Sequence, residues 1–175
     1  MPTDAPVRVV PYDPGWPRRF ERERALLLAV LGDHVVGGVH HVGSTAVPGL
    51  AAKPTVDIMA GVAGLEESRS CFAPLSQAGY VYAPYRPEEM HWFCKPDAAR
   101  RTFHLHLVPH GSRRFAATLA FRDALRSDPA CAAEYEELKL RLAERLREDR
   151  EAYTAAKADF ILAASARALA TADER

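Results

Sequence analysis

Twelve residues, 45–56, separate Ser44 from Asp57, and each stands in a setting that invites chemistry. Val42-Gly43-Ser44-Thr45 reads as an apolar strand handing over to a helix N-terminus. Backbone N–H groups and the positive end of a helix dipole hold an anion such as phosphate at such a place. Gly43 permits close backbone approach and Ser44 adds a hydroxyl. Asp57 interrupts the apolar run Thr55-Val56-Asp57-Ile58-Met59, where an acid is costly unless it is compensated. The spacing suggests a phosphate–metal site: Gly43, Ser44 and Thr45 cradle the phosphate and Asp57 holds a divalent ion. Mg²⁺ usually takes one or two carboxylates together with phosphate oxygens. Lys53, four residues before Asp57, serves either as a phosphate contact or as the salt-bridge partner of that acid. The plainer alternatives are a Ser or Thr helix cap and a buried, paired Asp.

Further along, Phe103-His104-Leu105-His106-Leu107 alternates with a period of two. On a strand that puts both imidazoles on one face. With Asp57 they form a set for Zn²⁺ or Mn²⁺, or they contact phosphates, or they exchange protons near neutral pH. A solvated strand face is the bland reading. His40 and His41 are adjacent, so on a strand they point opposite ways, and neither is assigned a role. Two Tyr-x-x-x-Lys pairs, Tyr135–Lys139 and Tyr153–Lys157, each share a helix face. Their lysines could neutralise a triphosphate while a tyrosine stacks on a base; snorkelling surface side chains are the alternative. Arg122 and Asp123 read as a structural ion pair, and Arg100 and Arg101 lie on a loop that could close over phosphates.

The stretch HVGSTAVPGLAAKPTVDI, residues 41–58, closely resembles the signature of the GrpB family, a branch of the nucleotidyltransferase superfamily. PYDPGWPRRFERE, HLHLV, FRDALR, YEELK and YTAAKADFI resemble further landmarks of that family, so the likeness extends over most of the chain. The wider superfamily pattern is Gly-Ser, a spacer of about a dozen residues, then acid–apolar–acid on a strand. Here Met59 occupies the second acid position, and a third strand carboxylate is replaced by histidines. Two-metal transfer requires two ions about 4 Å apart, which one strand carboxylate does not complete. The resemblance implies a nucleotide-binding fold that takes ATP or another nucleoside triphosphate with Mg²⁺ (or Mn²⁺ or Zn²⁺), and transfer of a nucleotidyl group to a small acceptor. It equally implies a catalytically silent ligand-binding or accessory domain, akin to those fused to dephospho-CoA kinases. A metal-dependent enzyme built on Asp57, His104 and His106 is the third expectation.

The elements that must position these groups follow from punctuation and periodicity. Pro17 opens a helix that runs to Gly32, and residues 34–42 form a strand loosened by Gly37-Gly38. Residues 55–62 form a core strand, 65–78 a helix, and 90–94 with 102–108 a hairpin around a polar loop. From 112 the chain turns helical, over roughly 112–127, 131–149 and 150–171. Tyr135, Leu138, Leu142 and Leu146 form an apolar stripe at helical spacing. The pattern predicts an α/β (α+β) core over 1–111, with a small mixed sheet, and a helical subdomain over 112–175 packed on it.

A chain of 175 residues, 48% hydrophobic, is ample for one core. Acidic and basic residues balance at 23 each, which argues against nucleic acid as a partner. Cys71, Cys94 and Cys131 lack metal or disulfide spacing. No apolar run approaches 18 residues and no signal-peptide core is evident. The expectation is a cytoplasmic monomer or homodimer with a small phosphorylated partner and no membrane contact.

Overall fold

The computed structural model describes residues 6–173. Helix α1, Trp16–Leu31, begins where Pro17 occupies the first turn and Asp13 accepts the Gly15 amide at 2.7 Å. It ends at Gly32, whose φ of +52° suits a residue without a side chain. Five strands follow: β1 Val39–Val42, β2 Val56–Val62, β3 Val81–Tyr82, β4 His91–Lys95 and β5 Phe103–Pro109. They form one sheet in the order β1-β2-β5-β4-β3. Only β2 and β5 run parallel, so the sheet is mixed.

Alternation along the strands gives the sheet two dissimilar faces. Val56, Ile58, Ala60 and Val62 point to one side and pack under Trp16, Phe20, Leu27 and Leu31 of α1, together with Leu75 of α2, Phe72–Gln77. Burying such side chains contributes roughly 1.5–3 kcal/mol each. The opposite face carries Val42, Met59, Trp92, Cys94 and Val108, closed in part by Phe115. This second face also bears Asp57, His104 and His106.

The C-terminal helices start at side-chain caps. Ser112 caps α3, Arg113–Ser127; Asp128, followed by Pro129, caps α4, Pro129–Arg145; Asp149 caps α5, Arg150–Ala155. Helix α6, Ala158–Asp173, follows. A third apolar cluster joins Val47 and Leu50 to Phe121, Leu125, Cys131, Tyr135 and Ala164, and so fixes the loop after the Gly-Ser turn to the helices.

Local reading and structure differ in four places. The strand expected over 34–42 is confined to β1, because Gly37 and Gly38 adopt φ of +78° and +94° and turn the chain. The helix expected over 65–78 is a 3₁₀ turn, Glu67–Cys71, leading into the short α2. The helix expected over 150–171 breaks at residues 156–157 into α5 and α6. The buried line of α4 is Cys131–Tyr135–Lys139, whereas Leu138, Leu142 and Leu146 are half-buried. None of the three cysteines is in a disulfide, and all are buried. Among the described residues no helix is long and apolar enough to cross a membrane.

Candidate functional site

Register brings the acid and the histidines together. Parallel pairing sets Asp57 beside His104 and Met59 beside His106, with all four side chains on one face. His104 Nδ1–H donates to Asp57 Oδ1 at 2.7 Å, and His106 Nε2 lies 4.0 Å from the same oxygen. Burial pushes the Asp57 carboxyl up, but hydrogen bonds and charge from His104 and His106 overcome it and hold the group below the usual carboxylate range. Burial lowers the basicity of His104 against the pull of Asp57. His104 Nδ1–H therefore donates to a carboxylate that stays ionised.

The Gly-Ser turn abuts this acid. Gly43 has φ of +69°, and Asp57 presses against the side where a Cβ would be. Ser44–Ala46 is a single 3₁₀ turn rather than a helix, and its Ala46 and Val47 amides already donate to Gly43 and Ser44 carbonyls. One turn sums too few peptide dipoles to hold an anion by itself. Thr45 points away: it is buried, with Oγ1 2.9 Å from Nε2 of His41. His41 stacks on Phe20 at 4.8 Å, and burial, ahead of neighbouring charges, brings its pKa down to about 4. This histidine positions the turn. Its only sequence signal is its parity on β1.

Positive charge arrives from elsewhere. Lys53 Nζ lies 5.2 Å from the centroid of the Tyr153 ring, and Lys157 Nζ lies 4.2 Å from the same centroid. Lys157 also feels the charges of Asp57 and Lys139. Tyr135 reaches the Ser44 side chain. Thus Ser44, Lys53, Asp57, His104, His106, Tyr135 and Lys157 converge from five parts of the chain.

Lys139 has another role. It is buried, donates to the Ala51 carbonyl and lies over the Tyr135 ring, while Glu136 Oε2 accepts the Ala51 amide at 2.6 Å. Arg122 donates to the His41 carbonyl at 3.3 Å and Arg126 to the Ala46 carbonyl at 2.8 Å. Helices α3 and α4 thereby grip the main chain that carries the turn. Arg122 also pairs with Asp123 at 2.7 Å. Neither tyrosine ring is placed to stack on a base, since both are buried and Tyr135 packs on Phe121 and Phe160. Arg101 donates to the Ala98 carbonyl and lies over Trp92.

The expected metal set can be tested on this geometry. His104 Nδ1 is engaged with Asp57, and its Nε2 is buried without a hydrogen-bond partner. Among the described residues no three His, Cys, Asp or Glu side chains are disposed to hold a metal ion. Asp57 and His104 form a hydrogen-bonded pair with His106 beside it, not a ready three-ligand cage.

Residues 6–167 match the family described as GrpB protein. The chain belongs to the GrpB family. A UPF0157 protein of Pseudomonas aeruginosa is 38% identical over 172 residues, spanning 95% of this chain and 69% of that protein. The crystal structure of the conserved protein GrpB from Enterococcus faecalis superimposes with a TM-score of 0.85 at 31% identity, covering 94% of this chain and 98% of that one. A dephospho-CoA kinase of Mycolicibacterium paratuberculosis is 32% identical over 197 residues, with 97% of this chain matching 47% of that longer protein. The GrpB fold therefore accounts for the sheet and its helices together. On this GrpB sheet Met59 is fully buried beside Met90 and Trp92, so no polar group stands at that point of β2.

Proposed function

We propose that the polar side chains gathered between the Gly43–Ser44 turn and α5 bind a phosphate-bearing small molecule. One observation carries the reading: the side-chain amines of Lys53 and Lys157 share the Tyr153 ring, with Asp57 held ionised nearby. Cations gathered away from water favour an anion of several charges. A nucleotide suits this description through its phosphates. A divalent ion would come in with the ligand's own phosphate oxygens and rest on Asp57, as Mg²⁺ does where one carboxylate is on offer. The similarity to a dephospho-CoA kinase adds dephospho-CoA and CoA to the ligands worth testing.

Nucleotidyl transfer to a small acceptor is the second reading. It is favoured by the Asp57–His104 pair with His106, which can relay a proton at the anion site. Burial of Met59 weighs against the two-metal form of that reaction and towards a silent binding domain.

The deciding experiment is a thermal-shift series on wild type, Lys53→Ala and Asp57→Asn. Ligands are the four nucleoside triphosphates, CoA, dephospho-CoA and inorganic triphosphate, each with and without Mg²⁺ or Mn²⁺. A ligand at 100 times its dissociation constant adds about 2.7 kcal/mol. A shift lost in Lys53→Ala supports the phosphate site, and one that needs metal and Asp57 supports the ion. No response to any of these anions sinks the reading. Multiple turnover abolished by Asp57→Asn would dismiss the silent domain.

A further inference from the structure

Lysine is scarce in this protein. Of 23 basic residues four are lysines, at 53, 95, 139 and 157, and nineteen are arginines. Surface ion pairs use arginine, as at Arg24, Arg69, Arg86 and Arg141. The difference matters chemically: a guanidinium stays charged, whereas a lysine amine loses its proton when desolvated and becomes a nucleophile. Lys53 and Lys157 share the Tyr153 ring, and Lys139, fully buried, holds the Ala51 carbonyl. The fourth, Lys95, pairs with Glu23 at 2.8 Å on the other side of the sheet.

Lys157 is set apart even within the cluster. Lys139 donates to the Ala51 carbonyl. Lys157 Nζ, among the described residues, has neither a hydrogen-bond acceptor nor a carboxylate partner, and its contact is the Tyr153 ring. The side chain is half-buried, so a ligand can reach it. The groups that face it are Lys53 from the segment before β2, Asp57 from β2, Lys139 from α4 and Tyr153 from α5. Burial first, and then the Lys53 charge, bring its pKa down to about 7, with Asp57 opposing and Lys139 adding to the fall. At pH 7 an ordinary lysine near 10.4 has fewer than about one amine in a thousand neutral.

We propose that Lys157 is a nucleophile whose neutral amine condenses with the carbonyl group of a phosphate-bearing aldehyde or ketone. The proposal rests on reading the cluster as a phosphate site, with Lys53 and Ser44 taking the phosphate. The nitrogen lone pair adds to the carbonyl carbon, and a proton passes from nitrogen to oxygen to give a carbinolamine. The oxygen then leaves as water with the second amine hydrogen, and a C=N bond joins Lys157 to the ligand. Addition of water reverses the sequence, and nothing is oxidised or reduced.

Pyridoxal 5′-phosphate is the probe, because it carries an aldehyde and a phosphate in one small molecule. The full chain is incubated with it at neutral pH, the imine band is read, the adduct is fixed with borohydride and the modified lysine is mapped by mass spectrometry. The expected result is modification of Lys157 at least tenfold faster than of Lys95, suppressed by inorganic triphosphate. Lys157→Arg should lose the band. If triphosphate stabilises the protein but Lys53 or Lys95 labels as fast as Lys157, the nucleophile is overturned and the phosphate site stands. If pyridoxal without its phosphate labels Lys157 selectively and triphosphate has no effect, the phosphate reading falls and the reactive amine is upheld. Mapping on wild type needs no variant to fold.

Discussion

A side chain on Gly43 cannot coexist with Asp57 in its present position. A Cβ there would stand 2.5 Å from Oδ2 and 3.1 Å from Cγ of Asp57, and the residue's φ of +69° is one that L side chains rarely adopt. The turn and the acid fit each other because this one residue has no side chain. Gly43→Ala should therefore lower stability by about 1–3 kcal/mol through strain and displacement. For a chain of this size that is roughly 2–4 °C in melting temperature per kcal/mol. The anion-dependent shift should vanish with it. A melt and a ligand response equal to wild type would show that the turn relaxes freely.

Acid should destabilise the protein in a window set largely by His41. The unfolded histidine takes up a proton near pH 6.5 and the folded one near 4, with burial the main cause. Between those values the unfolded chain binds more protons, so stability rises with pH. The contribution is complete above about 6.5 and lost towards 4, and amounts to about 3 kcal/mol. His104, also lowered, acts in the same direction. The Asp57 carboxyl is depressed too, but its loss falls below the usual carboxylate range. His41→Gln should flatten the melting temperature between pH 4 and 6.5. An unchanged slope would assign the titration to His104.

Much of this site was legible from local sequence. The Gly43-Ser44 turn and Asp57 are adjacent as their spacing suggests, and His104 with His106 share a face because strands alternate. Pro17 and Gly32 mark helix ends through their backbone restraints, and Ser112 and Asp128 through side-chain caps. What local sequence does not carry is long-range register and competition for hydrogen bonds. Nothing in residues 53–57 says that β2 will lie parallel to β5. The break at 156–157 has neither Gly nor Pro to announce it. Lys139 reads as a cation for a triphosphate, yet the Ala51 carbonyl claims it, and Tyr135 is drawn into the core.

Tyr153 should matter through its ring rather than its hydroxyl. The side-chain amines of Lys53 and Lys157 both lie over it, and such contacts contribute about 0.5–2 kcal/mol when desolvated. Tyr153→Leu should weaken triphosphate binding by roughly 3- to 30-fold by calorimetry, a range that follows from those energies. Tyr153→Phe should bind within about twofold of wild type. Equal losses in both would shift the role to the hydroxyl.

Restoring the missing acid should fail. Met59 is fully buried among Met90, Trp92 and Cys94, so Met59→Asp places a carboxylate in an apolar layer. The expected cost is about 3–5 kcal/mol, the range for an uncompensated buried charge. Denaturant unfolding should show that loss with no gain of nucleotide turnover. A stable Met59→Asp protein that turns over nucleoside triphosphate would demonstrate a two-metal site one substitution away.

The four helix side chains that hold residues 41–51 do so through peptide groups: Arg122 on the carbonyl of His41, Arg126 on that of Ala46, and Glu136 with Lys139 on the amide and carbonyl of Ala51. Peptide groups are common to every residue, so these anchors measure distance along the chain and ignore identity. The segment works as a ruler with marks at 41, 46 and 51. Exchanging Ala46 for another small residue leaves every mark in place. Inserting one residue between 47 and 50 moves the last mark past its holders, and Ala51→Pro erases half of it by removing the amide. Outside Gly43 and the His41–Thr45 pair, length more than composition is what this loop must keep.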